Sequence, residues 1–482
     1  MKIFVDESSV GVGKTHAAIE KAVLSNMRWL FAVEKWEGIK ELESRITAMA
    51  KTKGTKPKVV RIMSDPSSKS RMRGMSVKKE IEALPDKYQN GHVIVICSHS
   101  AMLMSDFRNF CDWNLVCDEV PSVLDITKMR TKLDVPFFEK YYKLVEVAKG
   151  WSAIILTAAG RNLTGSDLAQ DDSHSRLNTL HKTVKSFDAG ESCKAPVCNL
   201  TCWSEMALDK VSWVWWSLFS VTNLKAFQSV TFLASRFSRS FTYKMLKDWD
   251  KKVDWEFHSS QGHRQFQQRS VSIFYYSESR KAAKSFFEGD VGRKQLSLIG
   301  KHIASVTSPK QLIWSCNSGA KTELAVNLNP NGFRAPRQAG TDTLMNKTEA
   351  AMIYAVKPSN EVRQVLKVIN ADKSAWVETN EREVILQFVS RTSIRDPNSN
   401  QAVQIHVYDK QQATYLHDFF VNQSHNSVTI KYEDLNLPSP SKTPGRPTLT
   451  PEEAKLSLQR KKKMKRISQW NRRHPDDQIA QQ

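Results

Sequence analysis

Long hydrophobic runs are missing from this sequence of 482 residues. A membrane-spanning helix needs about 20 consecutive apolar residues, and no stretch approaches that length. The first residues read as a core strand and not as a charged and apolar leader, so we expect neither a membrane segment nor a signal peptide. A hydrophobic content of 40% and a charged content of 25% are ordinary for globular proteins. These features predict a cytoplasmic protein of two or three domains with no membrane partner.

Cysteine is also sparse, with seven residues in the whole chain. A chain of this size in a reducing compartment is not expected to depend on disulfides. Cys193, Cys198 and Cys202 have the spacing C-x4-C-x3-C, which lacks the close C-x2-C pair of most zinc sites. We interpret them as ordinary loop cysteines, with a structural metal site as the alternative.

Acidic residues are too few to balance the basic ones. Asp and Glu number 50 against 71 Lys and Arg, which gives a formal net charge of +21. Such a field attracts polyanions, because binding to phosphates releases condensed counterions. The charge therefore favours a nucleic-acid partner but does not distinguish DNA from RNA. The alternative is a surface whose lysines are solvated and bind no partner.

The beginning of the chain carries the strongest motif. A short apolar run at residues 3–5 precedes a glycine-rich turn and a helical start. The turn reads Ser8-Ser9-Val10-Gly11-Val12-Gly13-Lys14-Thr15. Turn amides and the exposed N–H groups of a helix N-terminus together can wrap a polyphosphate.

This pattern predicts a phosphate-binding loop. Lys14 is expected to reach the β- and γ-phosphates, and Thr15 to bind Mg²⁺. Ser8 stands where the usual pattern has glycine, and we interpret it as a tolerated variant. A coincidental glycine-rich hairpin is the alternative. The expected nucleotide-binding residues are Gly11, Val12, Gly13, Lys14, Thr15 and His16.

An acidic pair follows a second apolar run. Residues 113–117 read as a strand that delivers Asp118 and Glu119 at its carboxyl end, where ligands of open α/β sheets bind. We expect Asp118 to hold Mg²⁺ and Glu119 to orient or deprotonate the attacking water. Two more runs, residues 92–97 and 153–156, are predicted to be strands of the same sheet.

The order of these segments resembles that of superfamily 2 (DEAD/DEAH-like) helicases. In that family a GxGKT loop is followed by a DExx strand and then by a strand that ends in a Thr/Ser-Ala-Thr-like triplet. The matching segments here are Gly11 to Thr15, Asp118-Glu119-Val120-Pro121 and Thr157-Ala158-Ala159. The glutamine-bearing motif of superfamily 1 is not found at the third position. The resemblance implies ATP and Mg²⁺ as cofactors and makes Thr157 the expected coupling residue.

The downstream half resembles the last motif of the same family. Gln387 is followed by Arg391 and Arg395, and a spacing of four is expected to place both guanidinium groups on one side of a helix. Permanently charged arginines suit the charge that develops on the γ-phosphate. The resemblance implies catalytic roles for all three residues. It leaves open which of the two arginines is the arginine finger that contacts the γ-phosphate. Two arginines four apart on a solvated helix face are the alternative.

Further runs in the second half predict a second sheet. Residues 230–237, 271–276 and 311–315 read as its strands, and residues 347–356 as a helix. Gly340-Thr341-Asp342 lies where the family has its motif V.

The composition changes after Leu437. Residues 438–447 are rich in proline and serine and predict an extended linker. A helix start at residues 450–453 then leads into a basic run. Pro444-Gly445-Arg446-Pro447 is similar to an AT-hook, although a hinge is the favoured interpretation. The residues expected to bind nucleic acid nonspecifically are Arg446, Lys461, Lys462, Lys463, Lys465 and Arg466.

These observations predict an α/β protein with two RecA-like parallel-sheet lobes in tandem and a flexible basic C-terminal tail. The predicted boundaries are 1–185 for the first lobe, 186–220 for a connector, 221–437 for the second lobe and 438–482 for the linker and tail. We expect an ATP-dependent helicase or translocase that acts on single-stranded or forked DNA, with RNA as a further substrate class and replication proteins as partners. The compact lobes and basic tail look like a phage-encoded replication or recombination helicase, which would place it in the host cytoplasm.

Two other functions stay open. One is a nucleic-acid-stimulated ATPase that remodels or packages DNA without unwinding it. The other is a nucleic-acid-binding protein with a decayed ATP site, which the intact residues of the phosphate loop and the acidic pair disfavour.

Overall fold

The first 118 residues alternate strands with helices, as an open parallel sheet requires. The computed structural model describes residues 1–9, 11–63, 77–129, 131, 133–164, 167–168, 174–190, 195–208, 213–259, 266–279, 281–337, 343–423 and 426–438. The first elements are β1 (Lys2–Asp6), α1 (Lys14–Leu24), β2 (Arg28–Val33), α2 (Trp36–Lys53), β3 (Lys58–Arg61), α3 (Val77–Glu82), α4 (Leu84–Lys87), β4 (Val93–Ser98), α5 (His99–Met104) and β5 (Trp113–Asp118).

The next stretch has shorter helices and closely spaced strands. It contains β6 (Leu124–Met129), α6 (Val135–Tyr141), β7 (Tyr142–Ala148), β8 (Trp151–Leu156), α7 (Ala158–Arg161), α8 (His174–Asp188), β9 (Val197–Cys198), α9 (Glu205–Leu208) and β10 (Trp213–Leu218). Three more elements then follow: β11 (Ser229–Leu233), α10 (Phe241–Trp249) and β12 (Asp254–His258).

The remaining elements again alternate strands with helices. They are β13 (Arg269–Ser277), α11 (Lys284–Phe287), α12 (Asp290–Val306), β14 (Leu312–Cys316), α13 (Lys321–Ala325), β15 (Glu349–Ile353), α14 (Asn360–Val368), α15 (Lys373–Val377), α16 (Glu383–Val389), β16 (Val403–Asp409), α17 (Lys410–Val421) and β17 (Asn426–Tyr432).

Seven parallel strands form the sheet of the first lobe, in the order β12-β1-β11-β5-β2-β4-β3. Its central strands are buried on both faces, as their continuous apolar sequences require. In the register of the sheet, Leu233 pairs with Asp6 on one side and with Asp118 on the other. The carboxyl ends of β1, β11 and β5 therefore lie side by side at one edge.

A second parallel sheet forms the second lobe, in the order β14-β15-β16-β13-β17. Both lobes belong to one compact unit, Met1–Leu435. The predicted α/β class with two RecA-like parallel-sheet lobes in tandem is confirmed. Among the described residues, no helix is both long and apolar enough to cross a bilayer.

The five strands β6-β10-β9-β8-β7 form a separate antiparallel sheet, and in sequence they lie between β5 and β11 of the first sheet. We call residues 124–218 the insert. All six residues of β10, including Trp213, Trp215 and Trp216, are buried. The tryptophan-rich segment is therefore part of the core.

Two strand assignments made from the sequence were wrong. Residues 153–156 do form a strand, β8, but it pairs antiparallel with β7 in the insert and not with the first sheet. A two-residue turn with Gly150 at φ 76° joins β7 and β8, which makes them a hairpin. Residues 230–233 belong to the first sheet, between β1 and β5, and not to the second.

The domain boundaries change accordingly. The first sheet takes strands from residues 1–118 and 229–258, so a division at residue 221 separates strands of one sheet. The proposed connector, 186–220, contains β9 and β10 of the insert. The helix predicted at 347–356 was also wrong, because β15 occupies 349–353 as a buried strand between β14 and β16.

Candidate functional site

The loop between β1 and α1 has a backbone that favours glycine at two positions. Gly11 has φ 86° and Gly13 has φ 99°, both in the left-handed region. Gly13 is the N-cap residue of α1 and offers no side chain to the first N–H groups of the helix. The helix N-terminus is therefore arranged as in anion-binding loops.

Lys14 folds back over this loop. Its Nζ donates hydrogen bonds to the carbonyl oxygens of Ser8 and Ser9, at 2.5 and 3.0 Å. Desolvation lowers the pKa of Lys14, and the nearby charges of Asp6 and Asp118 oppose this change. Buried Ser8 donates its backbone N–H to Asp6 Oδ1 at 3.0 Å, and its hydroxyl bonds to the same oxygen. This contact accounts for a serine where the common pattern has glycine.

Thr15 and Asp118 meet at the edge of the first sheet. Thr15 Oγ1 donates to Asp118 Oδ1 at 3.0 Å and lies 3.3 Å from Oδ2. Desolvation raises the pKa of Asp118, while the Thr15 hydrogen bond lowers it. His99 donates from Nε2 to the carbonyl oxygen of Asp118 at 2.9 Å, and burial lowers the pKa of His99 to about 4. His99 thus supports the backbone of the acidic pair as a neutral ring.

Glu119 has a constrained backbone. Its φ of 72° lies in the left-handed region, which costs a residue with a side chain about 1–2 kcal/mol. Its N–H donates to the carbonyl oxygen of Leu233 at 3.1 Å, which ties the acidic pair to the end of β11. Desolvation raises the pKa of Glu119 to about 8, and the carboxyl group of Glu34 adds to the rise, while Arg391 opposes it.

The second lobe reaches the same cleft with three polar side chains. Gln387, Arg391 and Arg395 line it together with the loop and the acidic pair, around a cavity of about 250 Å³. Arg391 is only 6% exposed, and desolvation lowers its pKa while the charge of Glu119 opposes the change. A Cβ atom built on Gly11 would lie 3.3 Å from Arg395 Cγ. The two lobes therefore face each other across one cleft.

The predicted helical placement of the arginines was wrong in part. Gln387 lies within α16, but the helix ends at Val389, and Arg395 belongs to a separate 3-10 turn, Ser393–Arg395. Both arginines reach the cleft from the loop after α16. Thr392 donates its hydroxyl to the carbonyl oxygen of Val389 at 2.8 Å and helps to close this turn.

Not all of the predicted nucleotide-binding residues line the cleft. Gly11, Gly13, Lys14, Thr15 and the exposed His16 do, whereas Val12 belongs to the loop but is not among the lining residues.

Thr157, the expected coupling residue, lies elsewhere. It is the N-cap residue of α7 in the insert, where its Oγ1 donates to the Lys140 carbonyl oxygen at 2.6 Å and accepts from Gly160 at 3.1 Å. It is not among the residues that line the cleft, because β8 belongs to a different sheet. Its position does not support a coupling role.

Ser235 is one cleft residue that was not predicted from the sequence. It is the second residue after the end of β11 at Leu233, and it lines the cleft with Leu233 and Ala234. Its Oγ is buried and has no hydrogen-bond partner among the described residues. A buried hydroxyl in this state can bond to a ligand in the cleft. The sequence signal for Ser235 was the apolar run 230–233, which is followed by Ala-Ser. The run 153–156 is followed by Thr157 and two alanines in a similar way.

Arg45 was also missed. It lies on α2, lines the cleft from the first lobe, and its positive charge lowers the pKa of Asp118. It forms a loose pair with Glu41 at 4.0 Å on the same helix. Nothing in the local sequence separates it from the other basic residues of α2.

Several sequence-based candidates lie outside the described residues. They are Cys193, Gly340-Thr341-Asp342 and the tail residues Arg446, Lys461, Lys462, Lys463, Lys465 and Arg466. Of the other two cysteines, Cys198 is not the loop residue that was predicted, because it lies in the buried strand β9, where desolvation raises its pKa to about 12. Cys202 is exposed, and its Sγ lies 3.0 Å from Ser204 Oγ.

Several solved structures are similar to this chain, and some of them are described as helicases. One, described as an XPD helicase, has a TM-score of 0.48 at 10% identity, covering 89% of this chain and 96% of that one. Xpd4 of S. tokodaii has a TM-score of 0.46 at 11% identity, with the same coverage of 89% and 96%. The DUF1998 helicase MrfA has a TM-score of 0.34 at 11% identity, covering 87% of this chain and 49% of that one. No protein-family model and no curated protein matches the chain.

Proposed function

We propose that the protein is an ATP-dependent nucleic-acid motor of the superfamily 2 helicase type. One observation carries the proposal: Lys14 and Thr15 of the first lobe line the same cleft as Arg391 and Arg395 of the second. A loop with glycines at positive φ, a lysine and a threonine is suited to a polyphosphate. Arginines from the facing lobe suit the negative charge that spreads over a γ-phosphate during transfer.

The residues present fit a Mg²⁺–triphosphate. Mg²⁺ prefers oxygen ligands and takes only one or two from the protein when substrate phosphates supply others. The Thr15 hydroxyl and the Asp118 carboxylate, 3.0 Å apart, provide such a pair. The unpartnered Ser235 hydroxyl is a further polar group in the cleft. When bound, Mg²⁺ would offset charge on the β- and γ-phosphates.

Glu119 is the proposed general base. It lies next to Asp118 at the cleft and is positioned by its backbone bond to Leu233. A carboxylate at this place can orient a water molecule and accept its proton during attack. Lys14 would contact the β- and γ-phosphates, and Arg391 and Arg395 the developing charge. Gln387 is proposed to orient the water or the γ-phosphate.

Binding of a triphosphate would hold the lobes together, and hydrolysis would remove that link. A nucleic-acid strand that touches both lobes would then be held differently in the two states, which gives translocation or unwinding. The net charge of +21 supports a polyanionic track. We propose single-stranded or forked DNA as the favoured track. Roles in replication or recombination, partner replication proteins and phage origin are predictions from the resemblance alone.

ATP hydrolysis with separate polymers tests the proposal most directly. We expect turnover to rise with single-stranded DNA more than with duplex DNA or RNA, and to vanish in Lys14→Ala and Glu119→Gln. A strand-displacement assay on forked DNA should then show ATP-dependent unwinding by the wild-type protein.

Other outcomes select the alternative functions. Stimulated turnover with no displaced strand would favour an ATPase that remodels or packages DNA. Equal turnover in the wild type and Glu119→Gln would contradict the assignment of the base. No turnover with any polymer, together with nucleic-acid binding, would identify a binding protein with a decayed site.

A further inference from the structure

Arg236 directly follows cleft residue Ser235, and its side chain contacts the second lobe. Its backbone has φ 56°, in the left-handed region that non-glycine residues adopt at a cost. It is the N-cap residue of a 3-10 turn, Phe237–Arg239. Backbone hydrogen bonds of this turn, such as that from the Arg239 N–H to the Arg236 carbonyl oxygen at 2.9 Å, hold the conformation together with the contacts of the side chain.

Those contacts come from two helices of the second lobe. Arg236 Nη1 lies 3.5 Å from Glu383 Oε1, at the start of α16. The guanidinium carbon lies 4.9 Å from the ring centre of Tyr415 and 5.8 Å from that of Phe419, both on α17. The side chains of Arg236 and Glu383 are only 19% and 16% exposed. An ion pair with aromatic contacts in this shielded place is stronger than one in water.

The partner carboxylate is itself fixed. The Tyr415 hydroxyl donates a hydrogen bond to Glu383 Oε1. Desolvation raises the pKa of Glu383, while Tyr415 and Arg236 oppose that rise. Arg382 lies 5.7 Å from the Tyr415 ring centre, but it belongs to the second lobe and does not join the lobes. Arg239 also lowers the pKa of Glu383, after Arg236 in size.

The other end of Arg236 is tied to the cleft. Ala234 donates its N–H to the Asp6 carbonyl oxygen at 3.0 Å, and Leu233 accepts from Glu119 at 3.1 Å. The segment 233–236 therefore contacts the ends of both β1 and β5. On the far side, Glu383 begins the helix that carries Gln387 and ends two residues before Arg391. Glu119 is therefore connected to Arg391 through the segment 233–236, the Arg236–Glu383 ion pair and helix α16.

We propose that Arg236 is a positioning residue that seats α16, and thereby Arg391, against the cleft through its ion pair with Glu383. The role rests on the proposed function, since it concerns the closure of the two lobes around a nucleotide. It predicts that loss of Arg236 impairs catalysis after the nucleotide has bound, and not the binding itself.

The first test compares Arg236→Ala with Arg293→Ala. Arg293 pairs with Glu323 at the same N–O distance of 3.5 Å, but both residues lie in the second lobe. For Arg236→Ala we expect polymer-stimulated kcat to fall about tenfold, which corresponds to about 1.4 kcal/mol of activation free energy, with KM for ATP unchanged. Arg236→Lys should recover part of the loss, because it keeps the charge. Arg293→Ala should keep wild-type kinetics.

The second test measures lobe closure without turnover. Small-angle X-ray scattering of the wild-type protein with ADP–beryllium fluoride and single-stranded DNA should show a smaller radius of gyration than the nucleotide-free protein. Arg236→Ala and Glu383→Gln should each reduce this change, and the double variant should reduce it no further than the stronger of the two single variants. Glu383→Gln removes only a charge, so it serves if Arg236→Ala does not fold.

The possible failures are distinguishable. Wild-type kcat and compaction in Arg236→Ala, or additive effects of the two substitutions, would overturn the role of Arg236. Absence of Lys14-dependent hydrolysis in the wild type would instead overturn the proposed function.

Discussion

Gly11 of the phosphate loop lies against the side chain of Arg395 from the second lobe, with only 3.3 Å between a Cβ atom built on the glycine and Arg395 Cγ. Gly11 also has φ 86°, a backbone conformation that side chains disfavour. The second lobe thus approaches the loop at a position where both the backbone conformation and the neighbouring side chain favour glycine.

We expect Gly11→Ala to weaken ATP binding by about tenfold, since roughly 1–2 kcal/mol of strain and a displaced Arg395 would distort the loop. Isothermal titration with a non-hydrolysable ATP analogue would measure this. Gly54→Ala is the matched control, because Gly54 has φ 71° at the end of α2 and no atom within 4 Å of an added Cβ. Both variants should lose stability, but unchanged ATP affinity in Gly11→Ala would contradict the contact.

Ser235 and Thr157 differ in what they contact, and their alanine variants should differ accordingly. Ser235→Ala removes a buried cleft hydroxyl, so we expect reduced polymer-stimulated hydrolysis with little change in thermal stability. Thr157→Ala removes the cap of α7, which should cost about 0.5–2 kcal/mol of stability in the insert and leave hydrolysis intact. Hydrolysis assays and thermal melts distinguish the two. The reverse pattern would restore Thr157 as the coupling residue.

The local motifs could be predicted because strand, loop and helix follow each other within one short segment. The apolar run at residues 3–5 predicted β1. The glycine-rich turn after it predicted that a helix starts near Lys14, where α1 begins. The run 113–117 placed Asp118 at the end of a buried strand in the same way. Neither inference needed knowledge of distant strand partners.

Partners far apart in sequence could not be predicted from the same signals. The runs 153–156 and 230–233 are both short, apolar and followed by small residues, but only the second pairs with β5. Strand pairing depends on long-range packing, which periodicity does not report. The buried strand β15 was taken for a helix for a related reason: its sequence Glu-Ala-Ala-Met-Ile favours helices, and burial on both faces leaves no alternation.

The two arginines of the second lobe should have different kinetic roles. Arg391 is buried and interacts with the charge of Glu119, so we expect Arg391→Ala to lower kcat by about a thousandfold, as loss of an arginine finger does. Arg395 lies against the loop and its charge lowers the pKa of Lys14, so Arg395→Ala should mainly raise KM for ATP. Steady-state kinetics separate the two effects. A larger loss of kcat in Arg395→Ala would make Arg395 the finger.

His406 should make the second lobe sensitive to acid. It is fully buried on β16, bonds to the Tyr276 hydroxyl at 2.7 Å, and burial lowers its pKa to about 3. Between pH 6.5 and about 3 the unfolded chain binds a proton at this position that the folded protein does not, so stability falls as pH falls.

This dependence can be isolated with His406→Asn. Compared with the variant, the wild type should lose up to about 1.4 kcal/mol of unfolding free energy for each pH unit below 6.5. Urea unfolding at pH 7.5 and pH 5 would measure the difference. Equal pH dependence of the wild type and His406→Asn would show that His406 does not remain neutral in the folded protein.

The basic tail should increase affinity for nucleic acid without taking part in hydrolysis. Arg446, Lys461, Lys462, Lys463, Lys465 and Arg466 follow the last residues of the second lobe in sequence. Each phosphate that they neutralise would release counterions, so a chain ending at Leu437 should bind more weakly and with a shallower dependence on salt. Basal ATP turnover should be unchanged, because the cleft residues all precede the deletion. Fluorescence anisotropy with labelled single-stranded DNA over a series of salt concentrations would measure both quantities. A full-length chain with those six residues changed to glutamine separates charge from length, and affinity equal to wild type at every salt concentration would refute the role of the tail.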